Sequence, residues 1–222
     1  MSLSLHFLLV VLLLSILSCA KTSMVMEQTT VTLEGIVLPI EKDLQHHPDE
    51  DANNTLPSRL RFNGAGVRSI NFFGWDFKVY VAGFYHSGRD LLQSTEDVYQ
   101  AVQKHAMQFD FTFLRTVSQS KVTEAWERQL DHSVDYRYER YERDRDIFVS
   151  SFGPISDAGT VSVVLHPCGR TILVDQGTRT NVIHSRDFQR SFLSMWFGEN
   201  AVHQDLKDGL LSRDSGMDDC VG

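Results

Sequence analysis

The chain has 222 residues, enough for one well-buried domain, and nothing in its composition asks for a second. Its formal net charge of -8 argues against a nucleic-acid surface, because phosphate binding depends on clustered, unopposed Lys and Arg. An anionic partner would need a local site.

Residues 1–20 read as a signal peptide, with an apolar run from Phe7 to Leu17 and a small-residue exit at Ser18, Cys19 and Ala20. The run is short for a membrane span, so no transmembrane segment is expected after cleavage. The competing reading is an uncleaved anchor or a buried helix, since no Lys or Arg precedes the run. In a bacterial host the stretch ending at Cys19 would instead be a lipidation site. Export through the secretory pathway is the expectation, to the exterior, the periplasm or an organelle lumen; in a host with a secondary plastid the same signal would be a first targeting step. Cleavage after Ala20 would leave Cys168 and Cys220, either bridged or standing as free or intermolecular thiols.

Residues 21–57 hold one strand-like piece, Thr29 to Pro39, and then a polar, acidic loop broken by prolines. The loop carries the Asn53-Asn54-Thr55 sequon, and His46 and His47, adjacent histidines in a solvated acidic stretch that are not expected to hold a metal. From Leu60 apolar residues alternate, through Phe62 and again through Phe77, Val79 and Val81, as in paired strands. Ser94 with Asp97 forms a capping-box start for a short helix carrying Val98, Ala101 and Val102. Met107 to Phe113 is the clearest strand, with Met107, Phe109, Phe111 and Phe113 on one buried face and Gln108, Asp110 and Thr112 on the other.

An amphipathic helix follows, carrying Val122, Ala125, Trp126 and Leu130. The run Asp135 to Asp146 alternates Arg and Tyr with Asp and Glu; its charges nearly cancel, and it reads as a solvated helix face laced by ion pairs. Three strand-like stretches come next, at Ile147 to Gly153, Gly159 to Pro167 and Arg170 to Gly177. Ser185 opens a helix with Phe188, Phe192 and Trp196 on one face, and a closing helix runs from Val202. Residues 214–222 form a polar tail. The order of elements predicts an α+β fold, an antiparallel sheet with helices on one side.

Arg68 is the residue that needs explaining. The glycines Gly64 and Gly66 before it do not make a pyrophosphate loop, which requires a strand, a tight turn and a helix, whereas Arg68 leads into more strand. Close backbone approach or a bulge is what those glycines would permit.

The residues Asn63 to Arg68 ("NGAGVR"), Tyr80 twelve positions on, and Gly198 to Lys207 ("GENAVHQDLK") resemble the chalcone isomerase-like superfamily over residues 58–213. The likeness is nearer to its bacterial-type branch and to plant fatty-acid-binding proteins than to the flavonoid enzymes. It implies an open-faced β-sandwich, a large antiparallel sheet covered by helices on one side with a ligand cleft between the layers. In the isomerases an arginine at the position of Arg68 binds substrate, a threonine matches Tyr80, and a tyrosine and an asparagine align with Ser118 and Ala125. Both of the last two departures count against catalysis, because ring closure needs a positioned hydrogen-bond donor.

In the fatty-acid-binding relatives an arginine and a tyrosine hold the ligand carboxylate, and Arg68 and Tyr80 match them. An arginine fork with a phenol hydroxyl suits a carboxylate. Trp126, Met195 and Trp196 are candidates for the pocket wall. The resemblance therefore implies a non-catalytic binder of a fatty acid or another amphipathic carboxylate, with no cofactor and no metal. An intramolecular lyase or isomerase on a phenolic substrate, and a scaffold whose cleft is filled by its own side chains, are the alternatives.

Overall fold

A computed structural model describes residues 29–44, 59–133 and 138–211. The expected leader, the loop with His46, His47 and the sequon, the first part of the Arg/Tyr run, and Cys220 with its tail lie outside the described residues; Cys168 is exposed.

Nine strands and five helices are described. Strands β1 (Thr30–Leu33) and β2 (Ile36–Pro39) pair only with each other. Strands β3 (Glu41–Asp43), β4 (Arg59–Phe72), β5 (Trp75–His86), β6 (Met107–Phe113), β7 (Thr160–Leu165), β8 (Arg170–Asp175) and β9 (Thr178–His184) form a seven-stranded sheet. Every neighbour in that sheet is the next strand in sequence, and every pairing is antiparallel. The helices are α1 (Thr95–Ala101), α2 (Gln119–Ser133), α3 (Tyr141–Ser150), α4 (Arg186–Phe197) and α5 (Gln204–Leu210). This is the α+β, open-faced arrangement expected from the sequence.

Three hairpins turn on two residues, Glu34-Gly35, Phe73-Gly74 and Gln176-Gly177, each with positive φ at both positions. That is the type I′ geometry whose twist matches the flanking strands, and glycine takes the second position without strain. The first of these turns splits the single strand expected at Thr29 to Pro39 into β1 and β2. The last one returns the chain as β9, a strand not expected from the sequence.

The main core lies between the sheet and the helices. Phe84, Phe109, Phe111, Val161, Val163 and Leu173 of the sheet meet Trp126, Leu130, Phe148, Phe192 and Trp196 of the helices, all buried. Helix α4 buries residues around most of its circumference, and the Ser185 hydroxyl caps it by accepting from the Phe188 amide at 3.0 Å. The capping box at Ser94 and Asp97 closes in both directions, at 3.1 and 2.9 Å.

The outer face of the sheet is less bare than the alternation in β6 implies. Leu44, Leu60, Tyr85, Val164 and Ile172 form a second small cluster there. Gln108 is fully buried, and Asp110 accepts from Gln108 at 2.8 Å, from Ser162 at 2.7 Å and from the Lys42 ammonium.

Two readings of the middle segment are corrected. The strand expected at Ile147 to Gly153 is instead the second half of α3 and the turn after it, with Phe148 and Val149 in the core. The charged run is not only a solvated face. Arg140 pairs with Asp144 at 3.5 Å and Arg145 with Asp131 at 3.3 Å, but Asp144 and Tyr141 are buried, the Tyr141 hydroxyl donating to Asp131 at 2.9 Å.

Helix α5 holds β4 at close range. A Cβ on Gly64 would fall 2.6 Å from the Leu210 carbonyl oxygen and closer still to that of Gly209, and one on Gly66 would fall 2.8 Å from the Leu206 side chain. Asn63, buried beside them where the β4–β5 register shifts, donates to the carbonyls of Leu92 and Leu210 at 3.0 and 2.8 Å and accepts from the Leu92 amide at 2.7 Å. The glycines are there for backbone contact, as the sequence pattern implied. Gly64→Ala should lose about 1–3 kcal/mol of stability in urea unfolding through overpacking, and a neutral result would mean that α5 is free to move away.

His86, at the end of β5, is buried and its Nδ1 accepts from the Gly88 amide at 3.1 Å. Burial, reinforced by His105 and Arg61 and opposed by Asp90, pushes its imidazole from 6.5 down to about 4. The unfolded chain then binds the proton more readily. Stability from this group is present above pH 6.5 and is lost as pH falls towards 4, by on the order of 3 kcal/mol. Urea unfolding across that window should show the slope in the wild type and a flatter one in His86→Asn.

Candidate functional site

Beyond Gly66 the β4–β5 ribbon bears Arg68 directly opposite Tyr80, so the two side chains share a sheet face. The pairing shifts there: Ser69 faces Lys78 while Arg68 faces Tyr80, which leaves Val79 as the extra residue of a bulge. Ala82, Phe84, Phe109 and Phe111 on the same side belong to the main core, so Arg68 and Tyr80 point towards the helices.

Between this ribbon and the helix layer lies a cavity of about 300 Å³. Its walls are Val79 and Tyr80 of β5, Phe113 at the end of β6, Val117, Val122 and Trp126 beneath α2, Trp196 of α4, and Val202. The volume is at the low end of small-molecule sites, and the lining is mostly apolar, as such sites are.

Among the described residues, the charged side chains at the cavity are all of one sign: Arg68, Lys121 and Arg128 line it, and no Asp or Glu does. Arg128 pairs with Glu124 at 3.4 Å on the exposed side of α2. Arg68 is half-buried and donates to the Ser69 carbonyl, and among the described residues it has no carboxylate partner.

Tyr80 is 7 % exposed, its ring packed edge-on against Phe111 and Trp196 with centroids 5.4 and 6.4 Å away. Among the described residues its hydroxyl makes no hydrogen bond, and the side chain borders the cavity. Burial pushes the phenol well above its usual range, with the Arg68 charge pulling the other way, so Tyr80 is a neutral donor at physiological pH. The pair thus offers guanidinium and phenol N–H and O–H groups to an acceptor, in an apolar setting that strengthens such bonds.

Of the residues singled out from the sequence, the fold brings Arg68, Tyr80, Trp126 and Trp196 onto one cavity. Met195 is not among them; it is fully buried, and its carbonyl accepts from the Val202 amide at 2.8 Å, so it is core instead of pocket wall. Ser118 is exposed, its hydroxyl 3.3 Å from that of Ser120, and the cavity wall is made by its neighbour Val117 instead. Ala125 does line the cavity, where it contributes no hydrogen-bonding side chain, and it is exposed, not packed in the core as its helical spacing with Trp126 implied.

The sequence reading missed Lys121, Arg128 and Gln129. Lys121, Ala125 and Arg128 recur at helical spacing beside the buried stripe Val122, Trp126 and Leu130, so a helical projection of α2 contains the signal. Among the described residues no group of His, Cys, Asp and Glu is placed to hold a metal ion.

Residues 43–212 match the family described as chalcone isomerase-like, and the chain belongs to that family. No curated protein matches the sequence. Among solved structures, the fatty-acid binding protein of Arabidopsis thaliana has the same fold at a TM-score of 0.61 and 14 % identity, over 82 % of this chain and 95 % of that one.

Because no described residue accepts from the Tyr80 hydroxyl, Tyr80→Phe should leave stability within about 1 kcal/mol of wild type. A loss much above that in urea unfolding would show that the hydroxyl serves the fold.

Proposed function

We propose that this protein binds a fatty acid or a similar amphipathic carboxylate, with the carboxylate on Arg68 and Tyr80 and the apolar part against Val79, Phe113, Val122, Trp126 and Trp196. The observation that carries this reading is a guanidinium without a carboxylate partner among the described residues, beside an unpartnered buried phenol, both facing an apolar cavity. A bound carboxylate supplies what both groups lack: two oxygens for the guanidinium fork and an acceptor for the hydroxyl. The fold shared with a plant fatty-acid binding protein agrees with the proposal without carrying it.

Binding is preferred to ring closure because of what the lining offers. Among the described residues it holds donors in plenty, but no carboxylate and no imidazole to take a proton, and Tyr80 is held in its neutral form. The export signal expected over residues 1–20 belongs to this proposal as the route by which the binder would reach lipid outside the cytosol.

Native mass spectrometry of protein prepared without detergent should show a bound acyl carboxylate, and calorimetry with medium- and long-chain fatty acids should show saturable binding. Arg68→Ala should weaken it about 10- to 150-fold, the loss of a hydrogen-bonded charge, and Tyr80→Phe about tenfold or less. Absence of affinity for every fatty acid tried, or equal affinity in Arg68→Ala, overturns the proposal. Catalysed chalcone cyclisation well above the spontaneous rate would replace it with an isomerase.

A further inference from the structure

The end of the β4–β5 ribbon runs past the rest of the sheet. Strand β6 pairs with β5 only from Tyr80 inward and β3 pairs with β4 only at Arg59 to Arg61, so Ser69 to Lys78 stands as a two-stranded projection. Its tip is apolar and open to solvent. Phe73 in the turn is 88 % exposed and Trp75 is 75 % exposed, with Ile70 and Phe77 about half exposed behind them. By register Ile70, Trp75 and Phe77 lie on the same ribbon face as Arg68 and Tyr80, and Ile70 itself lines the cavity. An apolar strip therefore leads from the tip to the cavity mouth.

The charges beside the strip complete the pattern. Lys121 and Arg128 stand at the mouth, and the Arg115 guanidinium lies 5.2 Å from the Phe77 ring centroid. Among the described residues named here the cations outnumber the carboxylates: Glu34 pairs with Lys78 at 2.6 Å and Glu124 with Arg128, and Asp76, hydrogen-bonded to Asn71 at 3.0 Å, is outweighed by Arg68, Arg115 and Lys121. In a chain of net charge -8, this rim is locally basic. Exposed Trp and Phe flanked by Lys and Arg is the composition that settles at the boundary between headgroups and acyl chains of an anionic bilayer.

We propose that the β4–β5 tip is a membrane-docking element: Phe73 and Trp75 enter the interface of an anionic bilayer while Arg115, Lys121 and Arg128 meet its headgroups, so that the cavity mouth sits against the lipid surface. The docking itself needs only the tip and the rim; its use, the passage of an acyl carboxylate from bilayer to Arg68 without exposure to water, rests on the function proposed above. The carboxylate lies at the headgroup level in a bilayer, so it would reach the cavity first with its chain trailing along the strip.

The test is co-sedimentation of the full chain with vesicles of phosphatidylcholine alone and of equimolar phosphatidylcholine and phosphatidylglycerol, with tryptophan emission recorded in parallel. Trp126 and Trp196 are buried, so a blue shift on binding reports Trp75. Binding to the anionic vesicles is expected, weakened by salt and by Lys121→Glu, and reduced about tenfold or more in Phe73→Ser/Trp75→Ser. That double variant changes only exposed side chains and should keep wild-type affinity for a free fatty acid measured without vesicles. No binding to anionic vesicles at low salt, or equal binding by the double variant, overturns docking. So does tip-dependent self-association with no vesicle binding, which would assign the patch to a second copy of this chain. Tip-dependent vesicle binding by a protein with no affinity for free fatty acids would uphold docking and overturn the proposed function instead.

Discussion

Contact between the backbone of α5 and that of β4, made through Gly64, Gly66 and Gly209, sets the geometry on which the site depends. A Cβ at any of the three would strike a carbonyl or a side chain of the other element, so the approach exists only because none is present. Asn63 fixes the strand along its length by bonding to Leu92 and Leu210 together. Two residues beyond Gly66 comes Arg68, placed at a defined height between sheet and helices. The bulge opposite it then turns both Val79 and Tyr80 towards the cavity, where an unbroken ladder would send one of them to the outer face.

A cation half removed from water carries a solvation cost that a protein ordinarily offsets with a carboxylate. The outer face of this protein does so: Lys42, its side chain mostly buried, is met by Asp110, which is in turn bonded by Gln108 and Ser162. Arg68 receives one carbonyl from its own strand. The same sheet therefore shows both treatments of a lysine or arginine, a satisfied network on one side and donor capacity left over beside a cavity on the other. That contrast separates the site from the ordinary polar interior of the molecule.

Much of the framework could be read from residue order because local chemistry and global packing agree in it. The Ser94 and Ser185 caps, the alternation in Met107 to Phe113 and the stripe of Val122, Trp126 and Leu130 all act over a few residues. The failures share a cause. Ile147 to Gly153 is apolar enough for a buried strand, but its first half continues the helix begun at Tyr141, with Phe148 packed against Trp126 of α2 and Phe192 of α4. Glu34-Gly35 joins two four-residue strands, too short to mark a break between them, and Gln176-Gly177 leads into β9, whose Thr, Arg and Asn residues give little alternation. At the site, Arg68 and Tyr80 came from a resemblance in motif and spacing, whereas the cations of α2 depend on which side of a helix faces a gap. Met195 and Trp196 are adjacent in sequence, and a rotation of roughly 100° about the helix axis decides which one borders the cavity.

The long reach of Asn63 bears on how the molecule assembles. A sheet whose neighbours all follow one another along the chain can grow strand by strand, the longest closure being that of β6 on β7, across the segment that holds α2 and α3. The bond from Asn63 to Leu210 is of another kind, joining residues 147 apart. As the chain emerges from a ribosome or a translocation pore, β4 therefore carries an empty notch until residue 210 has followed it out, and the ribbon bearing Arg68 is anchored only then. A chaperone or a partner chain that filled this notch early would hold the binding face unfinished while the rest of the sheet was already formed.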